Sequence, residues 1–345
     1  MTEDQSASPE DVKSTEAVPE VTAELAAEEA GEGADVSSSP YRNLFVPLVI
    51  VPAMIVIVLV LVFVLFGQIA GDEKSMAENL ERVQTAGANE RDQALFLLVR
   101  QIDENWADLQ AGKELRWTME GDITTELTRV FNQTPPEDIH FRYVLAATLA
   151  QMDEVDGIGK LLSCLEINPA YDGEGTVRFN VIVGLGVAAT SMTDDERART
   201  VKAIVPFLEG DDLGLQLATA GALQGFPGAE SVAALRGVLG AGELELRGQA
   251  AVSLSHLGEE DGAEVLWELV DRASYERARE GHPEKFRRES QIVAVRERAV
   301  SALCRLGRAQ DLERLKEIAA GDPDLDVREE AMRGLAALEN GEVSE

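Results

Sequence analysis

The sequence predicts an all-α protein: an α-solenoid of about seven helical pairs, preceded by one transmembrane helix and a disordered acidic tail. Three observations predict this fold. A run of 23 apolar residues stands near the start, one amphipathic helical template recurs along the rest of the chain, and aromatic residues make up only 5% of the sequence. Few aromatics combined with plentiful Ala, Leu, Val and Gly favour closely packed helices over a β-sandwich.

Residues 1–43 are predicted to form a disordered acidic tail. Between Thr2 and Asn43 the chain carries eleven acids against two bases, Lys13 and Arg42. Such a segment cannot bury enough apolar surface to offset the entropy lost on ordering. Residues 21–30 could form a transient helix. This segment is interpreted either as a docking peptide or as part of a solvated tail.

The apolar run Leu44–Phe66 is predicted to be an uncleaved transmembrane helix. It contains no charged residue, and about 20 apolar residues suffice to cross the hydrocarbon core as a helix. Pro47 and Pro52 stand near its start, where the first turns of a helix have free N–H groups. A cleaved signal peptide is disfavoured, because the preceding tail is long and acidic and the run itself is too long.

The orientation of the span is predicted from the basic residues that flank it. Arg42 abuts the run on one side, whereas Lys74 and Arg82 lie farther away on the other. Since Lys and Arg near a span favour the cytoplasmic side, we expect the tail inside and the large C-terminal domain on the non-cytoplasmic side.

After a linker at residues 67–75, residues 76–340 are predicted to form the solenoid. The repeated template is Val/Leu-Arg-x-x-Ala-x-x-x-Leu-x-x-Leu, whose spacing places its apolar residues on one helix face. Gly258 and Gly307 follow two of the copies as helix stops. A second amphipathic stretch precedes several copies, so the unit is helix, turn, helix. The copies begin at residues 90, 141, 177, 215, 246, 295 and 327.

Paired helices of this length, with Asp just before Val-Arg as in Asp326-Val327-Arg328, resemble HEAT repeats, in particular the lyase-like HEAT repeats of bacteria. The resemblance implies a ladder of Asp and Arg side chains between neighbouring units, with Asp326 and Arg328 as members. Two further copies match only the Arg half: Arg247 and Arg296, with Glu245 and Ala294 where the Asp would stand.

The motif content predicts no catalytic, cofactor-binding or metal-binding residue, and therefore no enzyme and no cofactor. The three histidines lie in no metal-ligand spacing, and neither a phosphate-binding loop nor a nucleophile motif is present. Gly184 and Gly186 lie inside a template copy and are interpreted as a packing feature. Cys164 and Cys304 lie in apolar helical patterns and are interpreted as small buried residues, not as a disulfide or metal pair. A net charge of −32 repels phosphate groups, which argues against nucleic-acid binding.

One irregular segment interrupts the sixth unit. Residues 272–298 carry eight bases and five acids in this very acidic protein. Insertions in a solenoid often lie on its binding face, so the segment is a candidate contact for an acidic partner or a lipid head. The alternative is a solvated helix pair with internal ion pairs such as Glu276–Arg279 and Glu284–Arg288. The candidate contact residues are Arg277, Arg279, Lys285, Phe286, Arg287 and Arg288.

These features predict a single-pass membrane protein that acts as a tethered protein-binding scaffold or adaptor. A solenoid offers an extended surface, and tethering raises the local concentration of a partner. Two alternatives remain: a lyase- or chaperone-like activity on a bound protein or chromophore, which the resemblance implies, and an accessory subunit of a membrane transport complex. A fold of this kind specifies an activity poorly.

Overall fold

The computed structural model describes residues 74–118, 121–152, 156–281 and 286–340. All of them belong to the unit Glu73–Glu345. The predicted tail, the predicted span Leu44–Phe66, most of the linker and the candidate contact Lys285 lie outside the described residues. None of the helices within the described ranges combines the length and apolarity that crossing a membrane requires.

The described residues form fifteen α-helices and no strand, which confirms the all-α prediction. Five short 3₁₀ turns extend or connect them. The helices are α1 Met76–Thr85, α2 Ala88–Gln110, α3 Ile123–Gln133, α4 Ile139–Gln151, α5 Gly157–Leu165, α6 Thr176–Ala188, α7 Asp194–Ile204, α8 Leu213–Ala222, α9 Ala229–Val238, α10 Leu244–His256, α11 Ala263–Val270, α12 Arg272–Gly281, α13 Glu289–Leu306, α14 Leu312–Gly321 and α15 Leu325–Asn340.

Consecutive helices pack as pairs. Five pairs follow directly in the chain: α1 with α2, α3 with α4, α5 with α6, α9 with α10, and α14 with α15. In the fourth pair, the 3₁₀ turn Val205–Glu209 that extends α7 makes the contact with α8. The sixth pair joins α11 to α13, with α12 inserted between them. The second helices also pack against each other in chain order, α4, α6, α8, α10, α13 and α15, and we call them the second-helix layer. This arrangement fits a HEAT-like family, as the template indicates.

Each template copy lies on the second helix of a pair, and its apolar positions form the core. Ala250 and Leu254 of α10 are fully buried, as are Ala299 and Leu303 of α13. The predicted register is therefore confirmed for these helices. The core consists of two adjoining clusters, one from α1 to α10 and one from α10 to α15, which agrees with a fold stabilised by contacts between neighbouring pairs.

Local sequence signals fix several helix ends. Ser75 starts α1 through a capping box with Glu78, in which the Glu78 N–H donates to Ser75 Oγ at 3.2 Å and the Ser75 N–H donates to Glu78 Oε2 at 2.8 Å. The predicted helix stops Gly258 and Gly307 have φ of +76° and +60°, the left-handed conformation that glycine adopts without a steric penalty. Both stops are therefore confirmed.

The polar residue of the template caps the first helix of its own pair. Arg142 donates to the carbonyl oxygen of Thr134 at 2.6 Å, just beyond the end of α3. Gln216, which replaces Arg in one copy, donates to the carbonyl of Gly210 at 2.8 Å. The last carbonyls of a helix lack intrahelical partners, so these side chains satisfy them. The same contact joins Arg178 to Ile167 and Arg296 to Val270.

The ladder that the resemblance implies involves other residues. Asp326 is exposed, and within the described residues neither it nor the Arg328 side chain makes an ion pair. Arg296 of α13 instead pairs with Asp322 at 2.5 Å and with Asp324, both in the turn before α15. The acids thus come from turns and first helices, not from the position before Val-Arg. Two other template arginines pair with an acid of the neighbouring unit: Arg91 with Asp138, and Arg247 with Glu268.

Candidate partner-binding surface

The basic segment folds as the extra helix α12 and a turn that leads into α13. Arg277 and Arg279 lie on α12, and Phe286, Arg287 and Arg288 lie in the turn. The structure thus places the insertion where the sequence predicts it, between the two helices of the sixth pair. That these residues contact a partner stays a prediction.

Two of the candidate arginines make contacts within the segment itself. Arg277 donates to Ser274 Oγ at 2.8 Å, and Arg279 donates to the backbone carbonyl of Phe286. The predicted ion pair between Glu276 and Arg279 is not formed, because the Arg279 guanidinium turns towards the chain that follows α12. Arg279 therefore holds the end of α12 against the turn, while Arg277 is well exposed.

Phe286 packs into the protein and is only partly accessible. Its ring meets the buried Tyr275 ring edge to face, with 4.9 Å between the ring centroids. Tyr275 donates from its hydroxyl to the carbonyl of Leu269 at 2.6 Å, and burial raises the pKa of this hydroxyl. Phe286 has a φ of +49°, an unfavourable conformation for a residue with a side chain, which the ring packing offsets. The aromatic pair thus fastens the turn to α11 and α12.

Two other bases of the segment hold the last two pairs together. Arg272 contacts Asp324 at 2.7 Å and Glu289 at 2.5 Å, and Arg296 is buried between Asp322 and Asp324. Burial by itself raises the pKa of Asp324. The hydrogen bond with Arg272 and the charges of Arg272 and Arg296 lower it by a larger amount, so the pKa of Asp324 lies below its ordinary value. These two arginines are structural and do not form a free contact surface.

An apolar groove of about 570 Å³ runs over α6, α8, α10 and α13 in the second-helix layer. A smaller cavity of about 220 Å³ continues it towards the basic segment and shares Leu217, Gln249 and Arg298 with it. Phe286 lines this smaller cavity. We call both together the second-helix groove. Further lining residues are Phe179, Val183, Val187, Gly221, Leu244, Val252 and Val295.

One wall of the groove is an exposed apolar stripe on α6. Phe179, Val183 and Val187 follow each other at intervals of four residues and are 41%, 42% and 79% exposed. Residues four apart lie on one face of a helix, so the three side chains form a continuous row. The opposite face of α6 carries the buried template residues, which leaves this row without a partner inside the described residues.

The other wall of the groove is polar and carries both charges, since Gln249, Arg298 and Glu245 line the smaller cavity. Arg298 of α13 donates to Gln249 Oε1 at 3.0 Å, across the groove from the α6 stripe, and pairs with no carboxylate in the described ranges. Arg305, two turns further along α13, donates to Ser255 Oγ at 3.1 Å. Near this wall, desolvation, followed by the charges of Arg305 and Arg298, lowers the pKa of His256. The groove can thus take an apolar segment that carries a carboxylate.

The cysteines lie in the core, and the acidic groups of the described residues form no metal cluster. Cys164 and Cys304 are free and buried, which confirms their interpretation as small core residues, and burial raises the pKa of each thiol to about 11. No group of three or more His, Cys, Asp or Glu side chains that could hold a metal ion occurs in the part of the chain that the structure describes.

The α6 stripe was not among the residues predicted from sequence, which placed the candidate surface on the basic segment. A signal for the stripe was present in the sequence. Residues 176–188 are apolar on nearly every position, although the template needs only one apolar face. A helix that packs against the core on one face needs only one apolar face. The second apolar row at Phe179, Val183 and Val187 therefore indicates a second surface of α6 that contacts another element.

No family model matches the chain, and no curated protein matches it. Among solved structures, the chain is similar to human deoxyhypusine hydroxylase in complex with glycerol, at 17% sequence identity and a TM-score of 0.29. The match covers 77% of this chain and 96% of that chain.

This match contradicts the expectation that the chain is not an enzyme, because the similar structure is that of a hydroxylase. The expectation rested on the absence of known catalytic motifs, and an active site assembled from distant helices needs no such motif. A likeness with a TM-score of 0.29 carries no argument for hydroxylase activity in this chain.

Proposed function

We propose that this protein is a membrane-tethered scaffold that holds a protein partner in the second-helix groove. The α6 stripe carries the proposal, because Phe179, Val183 and Val187 form a row of exposed apolar side chains along a groove. An apolar surface that is exposed, continuous and bordered by polar residues is typical of protein interaction sites.

The shape of the groove favours an amphipathic helix as the bound element. The described residues contain no strand whose edge could pair with a peptide, so recognition must come from side chains. A helix inserts an apolar face into a groove of this kind and keeps its polar face in solvent. A carboxylate on that helix would meet the guanidinium of Arg298, which is a charge-assisted contact.

The tether is part of the proposal and is supported by the run Leu44–Phe66 of 23 residues without a charge. With the span in the bilayer, the large domain on the non-cytoplasmic side would be tethered to the membrane. A partner in the same membrane would then bind at a raised effective concentration, so a modest intrinsic affinity would suffice.

The test is co-purification of the full-length protein from its native membranes in mild detergent, followed by mass spectrometry. Three forms are compared: the wild type, Val183→Glu in the groove, and Met332→Glu, which alters a comparably exposed apolar residue on α15. We expect one protein in stoichiometric amount with the wild type and with Met332→Glu, and its loss with Val183→Glu.

The control for folding is the circular dichroism spectrum and melting curve of each form, which should coincide because both changed residues are 42–49% exposed. An identical set of co-purified proteins for all three forms would rule out the groove as the binding site. Partner loss with both variants would locate the effect in overall charge or folding instead.

A further inference from the structure

We propose that the end of α2 and the loop after it rest in the headgroup region of the bilayer that holds the tether. We call residues 106–118 the α2 tip. The inference depends on the tether proposed above and adds a second contact with the same membrane, made by the folded domain itself. The chemistry that it recognises is a lipid surface.

The α2 tip exposes apolar side chains outside the second-helix groove. Trp106 is 52% exposed, Leu109 is 57% exposed and Leu115 is 48% exposed. Leu109 lies roughly on the face of α2 that packs inward. It is nevertheless exposed, because α2 has 23 residues and its partner α1 has only 10, so the end of α2 extends beyond α1. A Trp with neighbouring aliphatic side chains is typical of residues at the membrane–water interface.

The tip projects past the point where the chain enters the domain. Gln101 donates to the carbonyl of Lys74 at 2.8 Å, and Asn105 Nδ2 lies 3.8 Å from Met76 Sδ. Since α2 runs on to Gln110, it continues by about 7.5 Å beyond the start of α1. The exposed side chains are therefore located at the end of the domain to which the preceding chain leads.

The chain before the domain is short. Eight residues lead from Phe66, the end of the predicted span, to Lys74, and an extended chain of that length reaches at most about 28 Å. This length of chain, ending beside exposed apolar side chains, is the reason to assign a lipid surface to them and not a second protein.

The loop of the tip is held in place by α2. Asn105 Nδ2 donates to the carbonyl of Trp117 at 2.7 Å, and the Trp117 N–H donates to Asn105 Oδ1 at 2.9 Å. The Trp117 indole donates to Glu104 at 2.7 Å. Leu115 is thus presented by a fixed loop, which lowers the entropy lost on binding a surface.

The charges of the tip are largely balanced, unlike those of the whole protein. Arg116 lies 3.6 Å from Glu104 and 3.9 Å from Asp108, and Lys113 lies 3.9 Å from Asp108. Both basic side chains are more than 60% exposed and can reach lipid phosphates with their heads. The local charge of the tip therefore adds no net repulsion from a lipid surface, and apolar burial can dominate the contact.

The test places an environment-sensitive fluorophore on Leu109→Cys in the full-length protein, reconstituted into phosphatidylcholine nanodiscs. Cys164 and Cys304 are buried with raised pKa values, so the thiol at position 109 reacts selectively. The matched control is the same label on Met332→Cys in α15, which is similarly exposed. We expect brominated lipid to quench the label at position 109 several-fold more than that at position 332, and aqueous iodide to show the opposite order.

A second measurement needs no label. Trp106 fluorescence, taken as the difference between the wild type and Trp106→Phe, should be quenched by brominated lipid. Equal quenching of both labels, together with an unquenched Trp106, would overturn the inference. Shielding of position 109 in native membranes but not in pure lipid would also overturn it, in favour of a protein at the tip. Alkaline carbonate extraction separates the two proposals, because release of the protein would refute the tether itself.

Discussion

Single arginines connect the repeat units of this protein. Arg296 is buried, its Nε donates to the carbonyl of Val270 at 2.8 Å, and its guanidinium meets Asp322 and Asp324 of the next pair. Arg328 occupies the same template position in the last described pair but makes no ion pair with a described residue. Position in the template is thus readable from sequence, whereas the contribution of an arginine to stability depends on the acids that the neighbouring pair brings to it.

Arg296 and Arg328 should differ in how much they contribute to the free energy of unfolding. Arg296→Ala should lower the free energy of unfolding by about 3 to 5 kcal/mol, because it leaves the buried carboxylate of Asp322 without a counter-charge, while Asp324 keeps Arg272. Arg328→Ala should cost less than about 1 kcal/mol, since its side chain is half-buried and makes no ion pair with a described residue. Urea unfolding followed by circular dichroism measures both values.

The ladder that the resemblance implied would give the reverse order, with Arg328 as the member paired with Asp326. Equal losses for the two variants would show that the Arg296 contacts with Asp322 and Asp324 contribute little in solution. Sequence could not decide between these cases, because the acids that Arg296 meets lie 26 and 28 residues further along the chain and are brought close only by the fold.

Helix α6 shows how one element can serve two surfaces. Its template residues face the core, while Phe179, Val183 and Val187 form a wall of the groove. Its two glycines were predicted to be a packing feature, and the structure supports this for one of them. A Cβ on Gly186 would lie 2.9 Å from the Cα of Ala222 on α8, whereas a Cβ on Gly184 would meet no heavy atom within 4 Å.

Alanine substitutions at Gly184 and Gly186 should change the stability in opposite directions. Gly186→Ala should destabilise the protein by about 1 to 3 kcal/mol, because the added methyl group would push α6 and α8 apart. Gly184→Ala should stabilise it by about 0.5 to 1 kcal/mol, since alanine favours a helix interior over glycine and has room here. Thermal and urea unfolding should therefore shift in opposite directions for two changes only two residues apart.

A loss of stability for Gly184→Ala would mean that its surroundings are more crowded than the structure shows. No change for Gly186→Ala would mean that α6 and α8 adjust freely at their crossing. Glycine spacing alone could not distinguish the two residues, because the distance between helices at a crossing is set by the residues of both partners, here including Ala222.

The whole molecule combines a part that sequence predicts well with a part that the structure does not describe. Helical pairs, their register and their core residues follow from a repeated pattern, since each unit must bury the same face against its neighbours. The bounds and partners of α12 do not follow from it, because the basic segment departs from the template. The prediction of the span depends on hydropathy alone, which can be evaluated for one segment without knowledge of the rest of the fold.

The last prediction concerns deletion of residues 44–66. The shortened chain should appear in the soluble fraction as a helical, cooperatively folding protein, because the described pairs bury their own cores within Glu73–Glu345. It should leave the membrane even if the α2 tip touches lipid, since a contact by a few apolar side chains is weak and stable anchoring needs a second signal. Sedimentation after cell lysis and circular dichroism measure the two properties. A shortened chain that stays with membranes through carbonate washing would assign the anchoring to the folded domain, and one that is rich in strand would contradict the helical-pair fold.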